Sequence, residues 1–148
     1  MSNDEINVTG INTNNQKNCI INNMPEIYSA IDVAFDKSIE LSPIIDKLTV
    51  LGIDNIQICR PRFEYDVILK FAIVKRECFW YLEEALTKMF SYVDQNIIQL
   101  KDVITENNGI VFIDIAFYQY GTYPSLIFDG ENMKKIHFLD ANISIDAY

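Results

Sequence analysis

The chain has 148 residues, of which 49% are hydrophobic and 22% charged, a composition typical of a globular domain and not of a disordered or fibrous protein. No apolar stretch reaches the roughly 18 residues that a membrane span requires, and the acidic start Met-Ser-Asn-Asp-Glu predicts no secretory signal. The 12 basic and 21 acidic residues give a formal net charge of −9, which disfavours binding to nucleic acid or to an anionic membrane.

The negative charge has two interpretations that the sequence leaves open, namely solubility and attraction of a basic macromolecular partner. Cys19, Cys59 and Cys78 are odd in number and form no C-x-x-C pair, so we expect reduced thiols in the cytoplasm. His137 is the sole histidine and is expected to be structural. The sequence therefore predicts no zinc site, no thiol catalysis and no cofactor.

The first part of the chain differs in composition from the remainder. Residues 1–24 are rich in Asn, which competes for backbone hydrogen bonds and favours turns. This composition predicts a flexible N-terminal arm or a weak edge hairpin. Residues 25–148 are patterned throughout and are expected to form a single α+β domain.

The domain begins with alternating strand and helix patterns. Glu26–Asp36 alternates apolar and polar residues and predicts a strand. Ser42 and Pro43 are typical of a helix start, and Gly52 lies just after the predicted end of that helix. Asn55–Cys59 is expected to be a second, short strand before a turn.

The middle of the chain carries the two most regular patterns. Phe63–Val74 predicts a long strand with one apolar face, formed by Tyr65, Val67, Leu69, Phe71 and Ile73. Trp80–Thr105 carries a continuous apolar stripe at helical spacing and predicts one long helix. Lys75 and Arg76 follow the predicted strand and are expected to be solvated.

The last part of the chain alternates again. Ile110–Tyr120 predicts a strand, residues 125–128 a short strand, Gly130–Phe138 a helix capped by Asp129, and Asn142–Tyr148 a final strand. The complete order is β-α-β-β-α-β-β-α-β. It predicts an α+β two-layer sandwich in which helices pack on one face of a mixed, largely antiparallel sheet and the other face is partly open.

The open sheet face carries the candidate site. If the three long strands pair side by side, Asp32, Asp66 and Asp114 share this face. The face is then a solvated surface, a metal site for phosphoryl chemistry, or a binding surface for a cation-rich partner. Tyrosines near the strand end suit an adaptable contact surface, although strands favour tyrosine in any case. The predicted contact residues are Asp32, Asp66, Asp114, Tyr118, Tyr120 and Tyr123.

The C-terminal half resembles a known group of bacterial proteins. The resemblance rests on the strand at Pro124–Phe128, the helix with Met133 and Leu139, the ending Ala141–Tyr148, and the tryptophan at position 80. Over roughly residues 78–148 these features are similar to a bacterial family of small α+β domains of unknown function. Because genes of this family often lie beside polymorphic or contact-dependent toxins, the resemblance implies an immunity role for some of its members. It transfers no catalytic residue.

Together, these observations predict a cytoplasmic immunity protein and not an enzyme. The protein is expected to bind a cognate toxin domain, a basic nuclease, and to block its active site or its access to substrate. No nucleic acid and no membrane is an expected partner. Two alternatives stay open: a metal-dependent hydrolase that uses Asp32, Asp66 and Asp114, and a regulatory module with a small-molecule pocket between the sheet and the long helix.

Overall fold

The computed structural model describes residues 13–60 and 66–148 of the chain. Residues 1–12 of the predicted arm and the predicted strand start at residues 63–65 lie outside the described residues. The helices are α1 (Thr13–Ile21), α2 (Leu41–Val50), α3 (Leu82–Ser91), α4 (Ile97–Glu106) and α5 (Gly130–Phe138). The strands are β1 (Glu26–Asp36), β2 (Gln57–Cys59), β3 (Asp66–Cys78), β4 (Ile110–Tyr118) and β5 (Asn142–Ala147).

The five strands form one sheet in the order β2-β3-β1-β4-β5. β1 lies in the centre and is antiparallel to both β3 and β4, whereas β5 is parallel to β4 at one edge. β2 is antiparallel to β3 at the other edge. The predicted α+β fold with a mixed, mostly antiparallel sheet is therefore confirmed.

The core lies between one face of the sheet and the helices α2 to α5. In β4 the odd-numbered residues Val111, Ile113 and Ile115 are buried, while the even-numbered residues between them are half-buried. The helices contribute buried residues to the same cluster: Ile44, Leu48, Leu82, Leu86, Met89, Leu100, Ile104 and Ile136. Gly109, in the turn between α4 and β4, packs directly on β1, since an added Cβ would lie 2.7 Å from Val33 and 2.8 Å from Phe35. Glycine at this position thus permits the close approach between the end of α4 and the sheet.

The prediction of one helix over Trp80–Thr105 is wrong, because the chain forms α3, a short 3₁₀ turn over Asp94–Asn96 and then α4. The break falls at residues 91–96, of which all but Gln95 are weak helix formers. The N–H of Val93 donates to the carbonyl of Phe90, three residues back, which tightens the helix end. The side-chain amide of Asn96 donates to the main-chain carbonyl of Leu51 at 2.7 Å and fixes the turn against the end of α2.

The predicted alternation in the second long strand is correct only for its first part. Val67, Leu69 and Phe71 are buried as expected, but Ala72 adopts φ 52° and the pairing register with β1 shifts there. After this bulge Val74 enters the core, whereas Ile73 lines a cavity on the opposite face. The strand continues to Cys78 instead of ending at residue 74. The predicted short strand at 125–128 is reduced to one bridge between Tyr81 and Ser125.

The described part of the predicted arm contains a helix attached by a disulfide. Cys19 of α1 is fully buried and is bonded to Cys78, with a Cα–Cα distance of 5.6 Å. The expectation of three reduced thiols is therefore wrong, and only Cys59 is free. Because Cys78 pairs with Glu26 in the sheet, its side chain lies on the face opposite α2 to α5. α1 is thus attached on the other side of the sheet from the remaining helices.

Candidate functional site

The sheet surface opposite α2 to α5 is here called the open face. Even-numbered positions of β1 and β4 contribute Tyr28, Asp32, Asp114 and Tyr118, all of which are half-buried. β3 adds Lys70. Two clusters of polar side chains form on this face, one in the middle of the sheet and one at the end nearest α1.

The first cluster, the Lys70 cluster, places one ammonium group between two carboxylates. Lys70 and Asp32 are direct register partners on neighbouring strands, and the Lys70 Nζ lies 3.0 Å from Asp32 Oδ1. The same Nζ donates to Asp114 Oδ2 at 2.9 Å. Asp114 is the register partner of Ala30 on β1 and is therefore diagonal to Asp32. The three side chains are only 15–26% exposed, so water screens these ion pairs weakly.

The environment favours the charged form of Lys70. Burial alone lowers the pKa of the Lys70 ammonium, but the hydrogen bond to Tyr28 and the charge of Asp32 outweigh it and raise the pKa overall. Burial also raises the pKa of Asp32, and the lysine only partly offsets this rise. Burial likewise raises the pKa of Tyr28. A lysine that holds its proton this firmly is a poor general base at neutral pH.

The second cluster, the Arg76 cluster, surrounds a buried ion pair. Arg76 Nη2 lies 2.9 Å from Glu26 Oε1, and Glu26 is fully buried. The Tyr120 hydroxyl donates to the same glutamate oxygen and accepts a hydrogen bond from Arg76 Nη2 at 3.2 Å. The Arg76 guanidinium also lies 3.4 Å from the centre of the Tyr118 ring. On its other side the Tyr118 ring stacks on Tyr148, with ring centres 4.9 Å apart and planes inclined by 11°.

A shallow cavity of about 300 Å³ joins the two clusters. Lys70, Arg76 and Tyr118 form part of its lining. Lys75 lies on its β3 side and Asp146 on its β5 side, and both are exposed. The cavity therefore combines an aromatic surface with one exposed charge of each sign at opposite sides.

The six predicted contact residues do not all lie together. Asp32 and Asp114 meet at Lys70, while Tyr118 and Tyr120 belong to the Arg76 cluster. Asp66 is the register partner of Asp36 at the far end of β3 and is exposed. It lies four residues from Lys70, or about 13 Å along the strand.

Tyr123 is also separate from the other predicted contacts. Its ring packs edge-on against Phe117, with ring centres 6.2 Å apart. Phe117 is a buried core residue of β4, so Tyr123 lies on the helix side of the sheet and is 66% exposed. Tyr118, the adjacent residue to Phe117, points to the open face.

In the part of the chain that the structure describes, the three-aspartate metal site does not form, and no open space remains at the predicted small-molecule pocket beside α3. The three-aspartate metal site required Asp32, Asp66 and Asp114 to converge, and they do not. Among residues 13–60 and 66–148, no group of three or more His, Cys, Asp or Glu side chains is arranged to hold a metal ion. The region between the sheet and α3, proposed for a small molecule, is filled by fully buried side chains such as Phe71, Leu86 and Met89.

Sequence reasoning did not identify Glu26, Arg76 and Tyr148 as site residues. Arg76 was expected to be a solvated residue after the strand end, but its side chain is only 9% exposed. The predicted strand ends at residue 74, whereas the observed strand continues to Cys78 through two register shifts, one at Ala72 and one between Val74 and Glu77, and the second shift returns Arg76 to the open face. Tyr148 joins the site through the parallel pairing of β5 with β4, which the alternation in a single segment does not reveal.

The described part of the chain contains no helix that is long and apolar enough to cross a bilayer. Comparison with known protein families, with characterised proteins and with solved structures finds no match to this chain. The open face, where two preorganised clusters flank a shallow cavity, is the candidate functional surface.

Proposed function

We propose that the protein is a bacterial immunity protein that binds a toxin domain through the open face and acts without catalysing a reaction. The observation that carries this proposal is the sandwich of Tyr118 between Arg76 and Tyr148 on the open face. Tyrosines are frequent in protein recognition surfaces because they give a large contact area with few rotatable bonds. The toxin domain, a basic nuclease, would lose its active site or its access to substrate in the complex.

The fixed orientation of Tyr118 supports a role in recognition. Its ring contacts a guanidinium on one face and a second ring on the other, so little side-chain entropy remains to be lost on binding. Tyr148 is 67% exposed and leaves one face of the stack accessible. Asp146, beside it on β5, adds an exposed carboxylate that suits a basic partner.

The charges on the open face assign different roles to its aspartates. Lys70 is paired with both Asp32 and Asp114, so neither carboxylate is without a cation, and Arg76 is paired with Glu26. We therefore assign Asp32 and Asp114 to positioning, and the direct contacts to Tyr118, Tyr148 and Asp146. The net charge of −9 then acts mainly at long range, where it accelerates encounter with a basic partner.

The proposed location is the cytoplasm, where a bacterial nuclease would act. The disulfide between Cys19 and Cys78 argues in the opposite direction, because disulfides persist mainly in oxidising compartments. Alkylation of the thiols in intact cells, followed by mass spectrometry, tests the location. Free thiols at both positions agree with the cytoplasm, and a bonded pair contradicts it.

The proposal is tested by co-expressing the chain with the toxin domains encoded beside its gene. We expect the chain to restore growth and to form a complex that isothermal calorimetry detects. Tyr148→Ala should weaken binding by about tenfold or more, as expected for an aromatic contact near the centre of an interface. Tyr123→Ala is the matched control, because Tyr123 is equally exposed but lies on the helix side. Loss of binding only in Tyr123→Ala would place the interface on the helix side, and absence of any growth protection would contradict the immunity role.

A further inference from the structure

The outer edge of β5 has main-chain groups that no described strand pairs with. Among the described strands β5 ends the sheet order, and β4 is its neighbour. The N–H of Tyr148 donates to the carbonyl of Phe117 at 2.9 Å, and the carbonyl of Tyr148 accepts from Gln119 at 3.2 Å. Tyr148 therefore directs both main-chain groups to β4. Because this direction alternates along a strand, the N–H and C=O groups of Ile143, Ile145 and Ala147 point away from the sheet.

This edge lacks the features that normally prevent edge-to-edge association. Proteins protect edge strands with lysine, proline, bulges or very short strands. β5 has six residues, no lysine, no proline and an uninterrupted register with β4. Its two isoleucines, Ile143 and Ile145, are 39% and 40% exposed. The opposite edge differs, since β2 has only three residues and is followed by an exposed Arg60.

We propose that β5 pairs antiparallel with β5 of a second copy of this chain, with the two-fold axis at Ile145. In this register Ile145 lies opposite itself, and Ile143 lies opposite Ala147 of the partner subunit. All three outward-facing residues then form hydrogen-bonded pairs, which gives about six main-chain hydrogen bonds. The inference is independent of the proposed function.

The side chains of β5 favour this register over its neighbours. Ser144 lies opposite Asp146 of the partner subunit, so a hydroxyl donor faces a carboxylate acceptor. Moving the axis by one residue to Asp146 would place two carboxylates opposite each other. Asp146 is the one charged side chain in β5, so this edge contributes little to the repulsion between two copies that each carry −9.

The pairing would join two five-stranded sheets into one. The two-fold axis of an antiparallel edge pair is perpendicular to the sheet, so both open faces lie on the same side of the dimer. The Tyr118–Tyr148 stacks of the two copies would then share one surface. The dimer is therefore a bivalent arrangement of the face described above.

Sedimentation velocity of the full chain over a range of concentrations tests the pairing. We expect a shift from 17.1 kDa to twice that mass as concentration rises. Raising the salt from about 0.05 M to about 0.5 M should favour the dimer, because it screens the repulsion between two acidic copies. A mass of one chain at all concentrations and salt levels would overturn the proposal.

Two variants locate the interface. Ile145→Lys places like charges at the two-fold axis and should raise the dimer Kd by more than about tenfold. Ile58→Lys on β2 is the matched control, because Ile58 is 50% exposed on the opposite edge, and it should leave the Kd unchanged. The reverse pattern would assign dimerisation to β2 and contradict the proposal.

Hydrogen exchange of the wild-type chain gives a readout that does not depend on the folding of a variant. The amides of Ile143, Ile145 and Ala147 should become protected as protein concentration rises, whereas that of Tyr148 is already bonded to β4. A dimer that forms without added protection at these three amides would exclude the β5 pairing. Pairing of β5 with a strand of another protein would appear as protection only after that protein is added, with the chain itself monomeric.

Discussion

Each of the two clusters on the open face pairs acidic side chains with one basic side chain, but the two clusters differ in how deeply they are buried. The Arg76 cluster lies at the end of the sheet where Cys78 holds α1, and its glutamate is fully inaccessible to water. The Lys70 cluster lies in the middle of the face, and its three side chains keep 15–26% of their surface exposed. Because Glu26 is buried, the stability of the Arg76 cluster depends on the presence of the arginine. Because the Lys70 cluster is partly exposed, its contribution to stability is expected to change with pH.

Removal of the arginine should give the largest effect. Arg76→Met leaves the buried Glu26 carboxylate without its cation, and we expect the free energy of unfolding to fall by about 3–5 kcal/mol. Urea denaturation measures this loss. Lys75→Met removes a neighbouring exposed cation and should change the free energy of unfolding by less than about 0.5 kcal/mol. Equal losses in the two variants would contradict the distinction between a buried and a solvated cation.

The Arg76→Met/Glu26→Leu double variant separates the two possible causes of that loss. If the isolated carboxylate is the cause, the double variant should be more stable than Arg76→Met alone. A double variant that is less stable would instead assign the loss to the packing of the guanidinium against Tyr118.

The disulfide beside the Arg76 cluster should contribute slightly less. It joins residues separated by 59 positions, for which the chain-entropy relation gives about 4 kcal/mol of stabilisation. Cys19→Ser should lower the free energy of unfolding by about this amount, measured with urea, and should also release α1. A nine-residue helix of this polar sequence is not stable by itself. Cys59→Ser is the control, since Cys59 is free, and an equal loss there would contradict the role of the bond.

These two regions also differ in how far the sequence predicts them. The Lys70 cluster follows from strand alternation, because Asp32 and Asp114 occupy the polar face of two strands whose pattern is uninterrupted. The Arg76 cluster depends on a strand that continues past residue 74 through two register shifts, one at Ala72 and one between Val74 and Glu77. The positive φ at Ala72 has no signal in local propensity.

Two predictions are wrong, namely reduced thiols at Cys19 and Cys78 and one continuous helix over Trp80–Thr105, and both concern geometry that a local sequence pattern does not specify. The disulfide depends on the spatial proximity of Cys19 and Cys78, which no spacing rule supplies. The break between α3 and α4 preserves the apolar stripe, since Val93, Leu100 and Ile104 are all buried. Periodicity therefore identified most of the buried residues, with Ile97 only partly buried, but missed the change in backbone geometry.

Removal of Lys70 should have a moderate effect that depends on pH. Lys70→Met leaves Asp32 and Asp114 facing each other, and at neutral pH we expect a loss of about 1–3 kcal/mol in the free energy of unfolding. The loss should shrink as the pH falls toward 4, because protonation of Asp32, whose pKa burial already raises, removes the repulsion. The Lys70→Met/Asp32→Asn double variant should recover part of the stability at neutral pH. A loss that is constant between pH 4 and pH 7 would contradict this account.

The smallest expected effect is the alkaline destabilisation of the Lys70 cluster. The pKa of Lys70 is raised in the folded state, so its stabilisation is complete below the unfolded pKa of about 10.4. Above that pH the unfolded state loses protons before the folded state does, and the free energy of unfolding falls. Tyr28, with a raised pKa, acts in the same direction from about pH 10 upward. Urea denaturation at several pH values from about 9 to about 11.5 should give a steeper decline for the wild type than for Lys70→Met, which has lost the titrating ammonium group. Lys134→Met, which removes an exposed lysine, should retain the wild-type slope. An equal slope in wild type and Lys70→Met would mean that the lysine proton is held no more firmly in the folded state than in the unfolded chain.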